Sequence, residues 1–183
     1  MKMLFATTCA AAFVAGAALA QQNPALSDED YMKRVMKAAP SAVVENATIV
    51  RMTQNGDMKT LKKGSNEWTC MDPGEEARGE AGDPMCMDKN AGEWAHAYTT
   101  HGPAPDKTGF IYMLAGDTGA SNTDPYAKQK TADNHWIQTG SHVMIVGPAA
   151  AKLGYSRNAD PDPTAPYVMW PGSPYEHVMI PVK

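Results

Sequence analysis

The chain has 183 residues, with 16 basic and 20 acidic side chains, a net charge of −4 and 43% apolar residues. That is enough chain for one hydrophobic core and suits a single domain. The charge is mild, acidic and spread along the sequence, which argues against nucleic-acid partners and against binding to an anionic membrane surface.

The N-terminus reads as a secretion signal over residues 1–20. Met1-Lys2-Met3 is a short basic start, Leu4 to Ala17 is uncharged, and Ala18-Leu19-Ala20 is a small-x-small cleavage site ahead of Gln21 and Gln22. The apolar run is shorter than the roughly 20 residues a spanning helix needs. Cys9 sits inside that run and does not read as a lipid attachment site. The expected product is a single exported domain, residues 21–183, periplasmic or secreted, with no membrane insertion after cleavage.

Ser27 reads as a helix N-cap, with Asp28, Glu29 and Asp30 in the first turn, where carboxylates suit the helix dipole. Tyr31, Met32, Val35 and Met36 form the apolar face, and Pro40 closes the segment. Ala47 to Thr53 then reads as a strand and Asn55-Gly56 as a hairpin turn. Met58 to Lys63 is the return strand and Glu67 to Met71 a third, which together predict a three-stranded meander.

Cys70 and Cys86 remain once the leader is removed, and an even number in an oxidising compartment predicts a disulfide. The methionines flanking them, Met71, Met85 and Met87, are expected to bury the bridge. Asp88 caps a second predicted helix running to Thr100, with Trp94, Ala95 and Tyr98 as its buried stripe, and Gly102-Pro103 breaks it. Gly109 to Ala115, His135 to Gln138, His142 to Val146, Tyr167 to Trp170 and His177 to Val182 read as further strands. The fold class is therefore α+β: a mainly antiparallel sheet with about two helices, long loops and one disulfide.

Two sets of residues carry candidate chemistry. Eleven methionines remain outside the leader, and His142-Val143-Met144-Ile145 is repeated as His177-Val178-Met179-Ile180. Residues i and i+2 of a strand share a face, so His142 with Met144, and His177 with Met179, form soft ligand pairs suited to copper as Cu(I). If the strands are neighbours, all four can meet one ion. The competing reading is ordinary packing, since methionine fills irregular gaps in cores. The second set is Glu93, His96 and His101, an i, i+3 pair with a histidine just past the helix end. It is the candidate catalytic group of a small hydrolase-like envelope enzyme. No Gly-x-Ser-x-Gly elbow, phosphate-binding glycine pattern or Cys-x-x-Cys-His is present.

The stretches Pro84-Met85-Cys86-Met87-Asp88-Lys89-Asn90, Glu93-Trp94-Ala95-His96, Ser121-Asn122-Thr123-Asp124-Pro125-Tyr126, Asn134-His135-Trp136-Ile137 and Pro174-Tyr175-Glu176-His177 resemble a group of secreted bacterial proteins with no assigned activity. The resemblance implies a signal peptide, one domain and an envelope location, and it transfers no catalytic residue. The leading functional expectation is a periplasmic binding or accessory protein, with the metal ion or another protein as partner. The small enzyme and a structural protein-interaction module are the alternatives.

Overall fold

The computed structural model describes residues 26–53, 56–73 and 82–182. The expected leader, residues 1–20, lies outside the described residues, as does Asn55 of the expected hairpin turn. Among the described residues, three α-helices, α1 (Asp28–Val35), α2 (Ser41–Val44) and α3 (Lys89–Thr99), accompany a large sheet. The strands are β1 (Thr48–Met52), β2 (Met58–Lys62), β3 (Thr69–Met71), β4 (Met85–Met87), β5 (Gly109–Met113), β8 (His142–Val146), β9 (Tyr167–Met169) and β10 (His177–Pro181). β6 (Ala120–Ser121) and β7 (Trp136–Ile137) form a separate two-stranded ribbon. The order across the eight-stranded sheet is β2-β1-β3-β4-β5-β8-β10-β9. The fold is α+β, with every strand pair antiparallel except β1 with β3.

Local signals set both long helices. The Ser27 side chain accepts from the Asp30 backbone N–H, and three acidic residues occupy the first turn of α1. Asp88 does the same for α3, accepting from the Ala91 N–H. α1 ends at Val35, before Pro40, which instead sits at the N-cap of the short α2 that the sequence pattern did not reveal.

The expected meander does not form. β2 pairs with β1, but β3 lies on the other side of β1 and runs parallel to it. The connection between them folds back over the start of β1, where the Ser65 and Asn66 N–H groups both donate to the Asn46 carbonyl. Gly64 permits that path: a Cβ there would lie 2.3 Å from the Ala47 carbonyl carbon. Only glycine brings two backbones so close.

The disulfide joins Cys70 to Cys86, which face each other directly across β3 and β4. The flanking methionines do not bury it. Side chains alternate along a strand, so Met71, Met85 and Met87 point to the opposite face. The cysteines belong to a core with Tyr31, Val35, Val44 and Ile49 under α1 and α2. The methionines belong to a second core with Trp94, Ile111, Met144, Tyr167 and Met179 under α3. α3 reaches the sheet closely because Gly109 lies beneath its first turn, where a Cβ would come within 2.3 Å of the Ala91 nitrogen.

Candidate functional site: a methionine-lined sheet face with two buried imidazoles

The duplicated His-Val-Met-Ile segments are adjacent antiparallel strands, β8 and β10. Met144 stands opposite Met179, His142 opposite Pro181, and His177 opposite Val146. Directly opposed residues share a face, so His142, Met144, His177 and Met179 all project from the α3 side of the sheet. The register sets the two histidines at opposite ends of the strand pair. They lie four residues apart along the strand, roughly 13 Å at the usual rise.

Neighbouring strands add thioethers at each end. Met113 of β5 opposes His142, and Met169 of β9 opposes His177. Each histidine therefore has one methionine across the ladder and one two residues further along its own strand. The His-x-Met spacing revealed the second of these. Met113 and Met169 carried no signal, because their positions follow from strand order and register.

Both imidazoles are fully buried. His142 Nδ1 bonds the Gly140 carbonyl at 2.7 Å and His177 Nδ1 bonds the Tyr175 carbonyl at 3.0 Å. A carbonyl only accepts, so each Nδ1 is the protonated nitrogen and each Nε2 carries the lone pair. Neither Nε2 has a hydrogen-bond partner, and the indole nitrogen of Trp94 on the same face also has none. The nearest carboxylate to His142 Nε2 is Asp117, at 4.0 Å. Burial pushes the His177 imidazole down to about 4, aided by the electrostatic influence of His142, and burial lowers His142 as well. Both rings are neutral near pH 7, the state in which Nε2 is a metal ligand.

The surroundings of the two histidines differ. His177 meets Trp170 and Trp94 at steep angles, with ring centroids 4.8 and 5.3 Å away. Trp170 holds a left-handed backbone conformation (φ 56°), rare for a bulky side chain. It is fixed there by its N–H to the Asn122 carbonyl and its indole N–H to the Ser121 carbonyl, at 3.0 and 2.9 Å.

The residues considered for catalysis are dispersed among separate partners. Glu93 is paired with Lys107 at 2.6 Å, which holds its carboxyl below the usual range. His96 is exposed on α3, and His101 is stacked on Tyr126 with centroids 4.2 Å apart. Among the described residues, no group of three or more His, Cys, Asp and Glu side chains has metal-holding geometry. No protein family, curated protein or solved structure matches the chain. Among the described residues, no helix is long and apolar enough to cross a membrane.

Proposed function

We propose that this chain is an exported, non-catalytic binding protein for a soft monovalent metal ion, Cu(I), held on the methionine face. Its nitrogen ligand is His177 Nε2 and its sulfur ligands are the thioethers of Met169 and Met179. The observation that carries this reading is the buried, unpartnered Nε2 of His177. Its lone pair is fixed by the bond from Nδ1 to the Tyr175 carbonyl, the arrangement that orients metal-bound imidazoles. Leaving a buried acceptor unmatched costs about 1–3 kcal/mol, a cost that a ligand removes. Thioether and neutral imidazole donors favour Cu(I) over harder ions. The ion is assigned to His177 because Met169, Met179 and two tryptophan rings stand around it, whereas the Asp117 carboxylate lies 4.0 Å from His142 Nε2. The disulfide, the leader and the likeness to secreted bacterial proteins support an envelope location.

Competition with a chromophoric Cu(I) chelator under ascorbate tests the reading on mature protein isolated from the periplasm without an affinity tag. The expected result is one Cu(I) per chain. Replacing both Met169 and Met179 by Leu preserves volume and costs less than about 1.5 kcal/mol per site in stability. That double variant is expected to bind Cu(I) at least roughly tenfold more weakly, about 1.4 kcal/mol. The matching change at Met113 and Met144 is expected to leave affinity intact. Failure of the natural protein to bind Cu(I) tighter than micromolar overturns the proposal.

A further inference from the structure

A continuous series of aromatic ring contacts, edge-on at His177 and stacked from Trp170 outward, leads from His177 to the surface. Trp170 lies 4.8 Å from His177. Tyr98 stacks on Trp170 at 4.9 Å and 25°, and Tyr126 stacks on Tyr98 at 5.5 Å and 8°. His101 caps the stack on the far side of Tyr126, at 4.2 Å and 21°. Tyr126 is 41% exposed. Separate contacts hold the internal rings: Trp170 by its bonds to Ser121 and Asn122, and Tyr98 by its hydroxyl donating to the Pro125 carbonyl at 2.7 Å. Trp94 and Tyr175 flank this series of rings, whereas Trp68 and Tyr112 pair separately on the disulfide face.

We infer that Trp170, Tyr98 and Tyr126 form a one-electron path joining a metal ion at His177 to an outer-sphere acceptor at the exposed Tyr126 ring, an inference that rests on the Cu(I) reading above. Tryptophan and tyrosine are the side chains most readily oxidised by one electron after the sulfur-containing ones. Electron transfer falls steeply with distance, so short ring-to-ring steps outrun a single long one. Bound Cu(I) loses one electron and becomes Cu(II), and the acceptor, a one-electron metal-complex oxidant strong enough to oxidise a phenol, is reduced by that electron. Tyr126 transiently gives its phenolic proton to water and recovers it when refilled from Tyr98, Trp170 and the metal, so no proton is transferred overall. Trp170, in its left-handed backbone conformation, contacts both Tyr98 and His177.

The test uses mature protein loaded with one Cu(I), with tris(bipyridyl)ruthenium(III) generated by a laser flash as the acceptor. Copper content is measured first, so loss of binding is separated from loss of the path. In the natural protein, oxidation to Cu(II) follows the flash rapidly and a tyrosyl signal is short-lived. Tyr126→Phe keeps the exposed ring but is not oxidised, and it is expected to slow Cu(II) formation roughly tenfold, equivalent to about 1.4 kcal/mol on the barrier. Tyr126→Trp restores the rate, and Trp170→Phe combined with Trp94→Phe slows it while prolonging the tyrosyl signal, because Trp94 also bridges His177 and Tyr98 at 5.3 and 6.0 Å. Equal rates in the natural protein and Tyr126→Phe, with copper bound in both, overturn the path and leave the binding reading standing. Absence of bound copper overturns both.

Discussion

The two faces of the sheet solve the same packing problem in opposite ways. Under α1 and α2 the core is built around the disulfide with Tyr31, Val35, Val44 and Ile49, and the buried polar groups of Tyr31 and Asp72 find partners within the protein. The Tyr31 hydroxyl donates to the Val50 carbonyl and accepts from the Asp72 N–H, and Arg34 pairs with Asp72 at 3.1 Å. Under α3 the core is rich in methionine and aromatic rings, and two imidazole nitrogens and one indole nitrogen have no partner. The difference teaches where stability and function divide. A face built for stability pairs its buried polar atoms, whereas one that holds two unmatched imidazole lone pairs beside thioethers is prepared for a ligand.

That contrast is tested most strongly on the disulfide face. Removing the bridge with Cys70→Ala and Cys86→Ala frees a loop with a sequence separation of 16. Urea unfolding should show a loss of about 3 kcal/mol. Cu(I) affinity of the folded fraction should stay unchanged, because the cysteines point away from the methionines. A parallel fall in affinity would show that the faces are not independent.

The methionine face should fail first in acid. His177 is held near 4, well below an ordinary imidazole near 6.5. The unfolded chain therefore takes up a proton below about pH 6.5 that the folded chain refuses until about pH 4. Stability is complete above that window and is lost as pH falls through it. Between about pH 7 and pH 5 the loss is about 2 kcal/mol from His177 alone, with His142 acting in the same direction. His177→Gln should flatten this part of the stability curve. An unchanged slope would mean that the acid response arises elsewhere.

The smallest effect belongs to the satisfied hydrogen bonds. Tyr31→Phe leaves the Val50 carbonyl and the Asp72 N–H without their hydroxyl partner and should cost about 1.5 kcal/mol by thermal or urea unfolding. Its contribution should be independent of pH between about 4 and 8, in contrast to His177. A cost that grows in acid would tie this face to the histidines and erase the distinction.

Much of the local structure was legible in the chain. Ser27 and Asp88 cap helices because their side chains reach an N–H three residues on, an interaction confined to one turn. The cysteine pairing was also accessible, because only Cys70 and Cys86 follow residue 20. The meander was misread because adjacent strands usually pair, whereas here β3 passes β1 through a close approach at Gly64, invisible in hydrophobic alternation. Likewise α2 is too short to generate a helical period.

The candidate site divides along the same line. Sequence alone determined that His142 shares a face with Met144, and His177 with Met179, because strand alternation is a property of the backbone. It also determined that the two repeated segments ask for the same kind of strand. Only the tertiary structure decided that these strands are antiparallel neighbours, that their register holds the imidazoles apart, and that Met113, Met169 and Trp170 complete the surroundings. The physical reason is range: alternation and capping act over a few residues, whereas register and strand order are set by long-range packing that no short segment encodes.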